Sequence, residues 1–136
     1  MSAGLSDEAR RRQGLQVRRE VLGAAHVDEA VARQSDFTAP FQDFITRTAW
    51  GDIWSRDGLD RRTRSMLTLT ALLALGHEAE LRLHVRAALT NGVTREEISE
   101  VFLHTAIYAG VPAANSAYAA AQEVFAAIDA ESSDDD

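Results

Sequence analysis

The segment Gly76-His77-Glu78-Ala79-Glu80-Leu81-Arg82-Leu83-His84 sets imidazoles, carboxylates and a guanidinium into a stretch that is otherwise apolar. Read as a helix, it places His77 three residues before Glu80 and Glu80 four before His84, so the three side chains share one face. An imidazole titrates near neutral pH, and a carboxylate one turn earlier can fix its tautomer. His84 with Glu80 behind it is therefore a candidate proton-transfer pair. The plain alternative is an exposed Glu-His pair worth roughly a few tenths of a kcal/mol, and periodicity leaves both readings open. His77 falls at a helix start, where the backbone dipole disfavours its protonation, which suits a cap or a neutral hydrogen-bond donor.

Upstream, Arg61 and Arg64 open a long apolar helix three residues apart on one face. They are solvated or pair with Asp57 and Asp60, or one of them reaches a cavity as a two-pronged carboxylate clamp. Trp50 and Trp54, four apart, belong to a core or wall a pocket with apolar surface and one polar edge. His104 lies in an apolar helix and reads as an interior histidine. His77, Glu80, His84 and His104 also admit a two-histidine, one-carboxylate metal site. The order His-x-x-Glu, however, reverses the Glu-x-x-His pairs of di-iron bundles, so no metal is expected.

What the chain lacks narrows the chemistry further. It has no cysteine and no lysine, and all 14 of its basic residues are arginine. Thiolate nucleophiles, disulfides and Cys-ligated metals are excluded, as are lysine Schiff bases and an internal aldimine to pyridoxal phosphate. Any fixed positive charge in a site is a planar fork suited to a carboxylate. The net charge of −7 takes four of its negative charges from Glu131, Asp134, Asp135 and Asp136, leaving about −3 on the rest. That balance argues against nucleic acid as a partner. With no apolar run of membrane-spanning length and no apolar leader, the chain reads as soluble and cytoplasmic.

The elements that must position these residues are helical throughout. At 136 residues and 46% hydrophobic the chain fits one domain, expected over residues 1–130, with a disordered acidic tail over 131–136. No sustained period-2 alternation argues for a strand, and Gly and Pro divide the sequence into helical lengths. Ser6 caps a helix to Leu22, stopped by Gly23, with Val17, Val21 and Leu22 as its apolar stripe and Arg10-Arg11-Arg12 as a solvated face. A short helix covers Val27 to Gln34, and Thr38-Ala39-Pro40 opens another bearing Phe41, Phe44 and Ile45. Gly51 to Leu59 reads as a turn, after which Asp60 caps a helix from Arg61 to Leu75, apolar nearly all round like a buried central helix. Gly76 breaks it, and Asn91-Gly92 stops the next helix. Thr94-Arg95-Glu96-Glu97 matches a capping box before Ile98, Val101, Phe102 and Ala106. Gly110 precedes a last, alanine-rich helix thin enough for close packing within the chain or against a second copy.

Several blocks in order, Trp50-Gly51-x-x-Trp54-x-Arg56-x-Gly58-Leu59, Arg61-x-x-Arg64-Ser65, Glu80-Leu81-x-Leu83-His84, Asn91-Gly92 and Tyr108-Ala109-Gly110-Val111-Pro112, resemble the carboxymuconolactone decarboxylase family from about Val17 to Ile128. The resemblance implies an all-α, compact, multi-helix alkylhydroperoxidase D-like domain that forms homo-oligomers, commonly hexamers. In the peroxidase relatives the pattern Cys-x-x-Cys-x-x-x-His falls on His77, Glu80 and His84. With both cysteines replaced, the peroxidase branch is excluded and the decarboxylase branch is left.

The implied reaction converts γ-carboxymuconolactone, a lactone dicarboxylate, to β-ketoadipate enol-lactone with loss of carbon dioxide, in protocatechuate breakdown. No cofactor is implied, because the carbanion left behind conjugates through the ring alkene to the lactone carbonyl, and the substrate supplies its own electron sink. On this resemblance His84 protonates the dienolate, Glu80 orients it and His77 donates to the lactone oxygen. Arg64, with Arg61 beside it, holds the acetate arm, and Trp50, Trp54 and Tyr108 wall the departing carboxylate. Two rivals stand beside this reading: a non-catalytic helical oligomer that binds a small acid, and a metal-dependent enzyme using His77, Glu80 and His84.

Overall fold

The computed structural model describes residues 4–134, and among them every regular element is helical. In order these are α1 (Asp7–Leu22), α2 (Ala24–Ala32), α3 (Ala39–Ile45) running directly into a π-helical segment (Thr46–Trp54), α4 (Arg61–Leu75), α5 (Glu78–Thr90), α6 (Arg95–Ala109) and α7 (Val111–Asp134). The chain gathers into two compact units, divided between Arg61 and Arg62.

The first unit is built on the approach of α1 to the π-helical segment. Ser6 caps α1 as its sequence position predicts, its hydroxyl accepting from the Ala9 amide at 3.1 Å, and Gly23 ends the helix with φ of 94°. Gly14 sits where a β-carbon would overlap the Thr46 carbonyl oxygen, and Gly51 where one would lie 2.7 Å from the Arg10 carbonyl oxygen. Two glycines thus let two helical backbones touch. Gly51 is therefore not the start of a turn; the π-helical segment passes through it to Trp54, and the irregular stretch begins at Ser55. The wider π turn brings Trp50 and Trp54 into a stack, ring centroids 5.2 Å apart at 28°.

The arginine run of α1 is not simply solvated. Arg10 grips Asp52 with Nε (3.0 Å) and Nη2 (2.5 Å), and Arg11 Nε donates to Asp43 at 2.5 Å. Asp43 also accepts from Arg47 Nε at 2.8 Å, and Arg11 first, then Arg47, hold its carboxyl below the usual range. The acidic partners lie on α3 and the π-helical segment, so a pattern that looks like a surface face in α1 alone becomes a seam once the helices pack.

The second unit has a continuous core of Leu69 and Leu73 from α4, Leu81, Val85 and Ala88 from α5, Val93, Ile98 and Phe102 leading into and along α6, and Ala117, Ala120, Ala121 and Val124 from α7. Alanine on α7 keeps that helix thin enough to lie against both α5 and α6. Phe102 meets Tyr118 edge-on at 5.3 Å, and the Tyr118 hydroxyl donates to the Ser99 carbonyl at 2.9 Å, so a partly buried aromatic keeps its polar end satisfied. Thr94 and Glu97 form both halves of the capping box, and Gly92 takes φ of 93° at the stop before it.

Two expectations change here. Helix α4 buries only the stripe Ser65, Leu69 and Leu73, while Leu67 is 56% and Leu75 69% exposed, so it is amphipathic in its packing though not in its sequence. The acidic end expected to be disordered from Glu131 instead continues α7 to Asp134, because arginines on neighbouring helices meet it. Arg86 grips Glu131 with two bonds of 3.0 Å, Arg95 holds Asp129 at 2.6 Å, and Arg82 holds Glu123 at 3.0 Å. The carboxyls of Asp129 and Glu131 are held below their ordinary range, chiefly by these hydrogen bonds. Asp135 and Asp136 lie outside the described residues.

Candidate active site

Helix α5 carries the proposed proton-transfer residues because Gly76, at φ of 76°, breaks the chain away from α4 and lets a new helix start at once. Its core stripe of Leu81, Val85 and Ala88 sets the rotation of the helix. That rotation leaves His84, between Leu81 and Val85, at the edge of the packed face. The imidazole is half-buried with its Nδ1 atom inside. Glu80, one turn earlier, is exposed, and so is His77. His77 occupies the N-cap position, but its side chain makes no capping hydrogen bond, so the cap expected of it is positional only. A half-buried imidazole beside an exposed carboxylate has one side packed for orientation and one side open for exchange with solvent.

The remaining candidates are distributed over both units. In the second, Arg64 is half-buried on the first turn of α4, its Nε inside. Tyr108, at the end of α6, is 79% exposed and lies 5.3 Å from the His104 ring, tilted by 38°. His104 is itself exposed rather than interior, because α6 turns Phe102 and Thr105 inward and leaves position 104 outside. In the first, Trp50 is 6% exposed and belongs to the packed interior, while Trp54 is half-buried. Arg61 pairs with Glu20 at 2.8 Å, a carboxylate that α1 presents from 41 residues away. Among the described residues no three His, Asp or Glu side chains are gathered as they would be around one metal ion.

Sequence reasoning passed over Arg18. It is 7% exposed, on the inner face of α1 with Gly14, Val17 and Val21, and its Nη1 donates to Gln42 Oε1 at 3.1 Å. The signal was there: position 18 falls one turn after Gly14 and one residue from Val17, on the apolar stripe rather than opposite it.

Among the described residues every regular element is helical, and the chain has no cysteine, which excludes thiol chemistry. The chain belongs to the carboxymuconolactone decarboxylase family, whose profile matches residues 39–123, a stretch running through the boundary between the two units. It is 54% identical over 121 residues to a 4-carboxymuconolactone decarboxylase of Acinetobacter baylyi, covering 89% of this chain and 90% of the relative. It is 46% identical over 114 residues to a nitrosuccinic acid decarboxylase of Metarhizium robertsii, covering 82% and 80% respectively. A 48-residue 4-carboxymuconolactone decarboxylase sequence from Pseudomonas putida matches over its whole length at 48% identity, covering 35% of this chain.

Proposed function

We propose that this protein decarboxylates 4-carboxymuconolactone to β-ketoadipate enol-lactone without a cofactor, in the breakdown of protocatechuate. The observation that carries this reading is the 54% identity to a decarboxylase of that name over about nine tenths of both chains. The chemistry is consistent with the residues on α5. The bond from the ring carbon to its carboxylate breaks, carbon dioxide leaves, and the electron pair enters a dienolate spread over the lactone. His84, as imidazolium, then gives its proton to the carbon beside the lactone carbonyl and is reprotonated by solvent. Glu80 orients the imidazole, and His77 donates to the lactone oxygen on which charge collects.

Arg64 holds the acetate arm, which keeps its charge throughout, because a tight grip on the departing carboxylate would stabilise the ground state. Arg61, paired with Glu20, contributes positive potential near the start of α4. Tyr108, exposed at the end of α6, supplies apolar wall. Arg64→Ala raises KM for the lactone and lowers kcat; an unchanged KM removes the clamp from this scheme.

The second relative bears on substrate choice. Nitrosuccinic acid, like the lactone, is a dicarboxylate whose loss of carbon dioxide leaves a carbanion beside a built-in electron sink, there a nitro group. The experiment is to supply freshly generated lactone, and nitrosuccinate in parallel, and follow carbon dioxide release. Turnover of the lactone with the higher kcat/KM supports the proposal. Preference for nitrosuccinate transfers the assignment to the nitro acid, and binding of the lactone without release leaves a non-catalytic binding module.

The protein acts as a homo-oligomer, a hexamer by analogy with its family, in the cytoplasm. The support is apolar surface that one chain leaves in water: Leu67, Leu103, Ile107, Tyr108 and Val111 are each more than half exposed. Among the described residues no helix is long and apolar enough to cross a membrane. Sedimentation velocity at micromolar concentration reads the assembly, and a monomer there would refute it.

A further inference from the structure

Within the first unit, α1, α2 and α3 border an open pocket of about 180 Å³, with Arg11, Arg18, Gln42 and Asp43 among its polar lining and the partly exposed Leu15 and Val31 on its apolar side. Arg18 is the unusual member. It is more than nine-tenths buried, its Nη1 is committed to the neutral oxygen of Gln42, and its Nε has no hydrogen-bond partner. A guanidinium taken out of water without a counter-charge is costly, by several kcal/mol in order of magnitude.

Among the described residues, the only carboxylate in the pocket wall, Asp43, cannot supply that charge. Asp43 is already shared between Arg11 at 2.5 Å and Arg47 at 2.8 Å. The wall therefore carries two guanidiniums against one engaged carboxylate, a net positive site in a chain of net charge −7. Burial alone pushes the Arg18 pKa down, with no acidic neighbour pushing it back, yet an arginine stays charged at neutral pH. The edge of the fork bearing Nε and Nη2 is the edge that grips a carboxylate with two parallel bonds.

We propose that this pocket is a binding site for a small organic carboxylate, held by Arg18 with its tail against Leu15 and Val31. Gln42, whose oxygen is taken by Arg18, keeps its amide hydrogens to donate to the same ligand. A cavity near this size accommodates about six heavy atoms, as a 150 Å³ apolar cavity holds benzene, so the ligand is a short-chain acid. None of its lining residues is among those assigned to decarboxylation.

Butyrate is the probe, titrated calorimetrically into the full chain at constant ionic strength set with chloride, with the arginine Nε–H region followed by ¹⁵N NMR. The expected result is one saturable site with Kd on the order of 1 mM and a downfield shift of one buried Nε–H signal. Butyramide, the neutral isostere, gives neither, and inorganic phosphate binds more weakly than butyrate. Arg18→Met, which replaces the charge with a side chain of similar reach, abolishes binding and melts no lower than the parent without ligand. Val31→Phe keeps Arg18 and narrows the apolar side, so it weakens butyrate by roughly tenfold or more and covers the case in which Arg18→Met does not fold. Absence of saturable butyrate binding to the parent overturns the proposal. So does equal binding of butyramide or phosphate, or butyrate affinity unchanged in Val31→Phe or in a folded Arg18→Met. Butyrate is bound and not turned over, so none of these outcomes depends on whether the lactone is the substrate.

Discussion

His84→Gln is expected to lose about 10² to 10⁴ in kcat while the fold survives, because glutamine keeps the size and a hydrogen-bond donor but has no acidic proton at neutral pH. In energy this is about 2.7–5.5 kcal/mol of transition-state stabilisation, more than any other side chain in the scheme is asked to supply. The side chain is half-buried at the margin of the α5 core stripe and is not among the residues of the buried core, so its replacement costs little packing. A rate loss alone would not separate proton delivery from positioning. In deuterium oxide, however, the parent places one deuteron on one face of the carbon beside the lactone carbonyl, since a fixed acid approaches from one side. The variant, with solvent as the only acid, loses that facial preference. Full activity, or reduced activity with the same stereochemistry, would sink the assignment of His84 as the acid.

How much of this arrangement could be read from the residues depends on the range of the forces involved. Local signals were legible. Ser6, Gly23, the Thr94–Glu97 box and Gly110 bound helices where capping chemistry says they should, since a cap is satisfied within one turn. Periodicity likewise put Glu80 and His84 one turn apart on α5, whereas His77 lies just outside the helix at its N-cap. Its rotation was not legible, because the Leu81–Val85–Ala88 stripe chooses its orientation by packing against distant helices, and that choice decides that His84 is half-buried and Glu80 exposed.

Helix α4 shows the same limit from the other side. Leucines all round it gave no preferred face, and tertiary packing selected Leu69 and Leu73 and left Leu67 and Leu75 outside. The Arg10-Arg11-Arg12 run reads as a solvated face, and Arg18 draws no notice, for one reason: the partners that pack them, Asp52, Asp43 and Gln42, come from 24 to 42 residues away. Gly51 was read by its propensity as a helix breaker, yet its role is to admit a neighbouring backbone.

That role of the glycines sets the second large effect. Gly14→Ala is expected to destabilise the first unit by about 3 kcal/mol or more, beyond the usual cost of overpacking, because the added methyl meets backbone rather than a movable side chain. Its β-carbon would overlap the Thr46 carbonyl oxygen and lie 3.0 Å from the Gly51 amide nitrogen. Relief requires α1 to move off the π-helical segment, which breaks the Gln13 bond to the Gly51 carbonyl (3.0 Å) and pulls Arg10 from Asp52. On helix propensity alone the change would stabilise α1 by about 1 kcal/mol, so the sign of the result decides between local preference and tertiary contact. Gly58→Ala is the control, since a β-carbon there meets nothing within 4 Å, and it stays within about 0.5 kcal/mol of the parent. Urea unfolding followed by circular dichroism gives the energies. The tryptophan couplet from the Trp50–Trp54 stack reports on the π-helical segment itself and fades in Gly14→Ala at urea concentrations where the parent retains it. A Gly14→Ala protein as stable as its parent, with the couplet intact, would mean that the α1 contact does not hold the π-helical segment in place. Trp54 would then owe its position to something other than the two glycines.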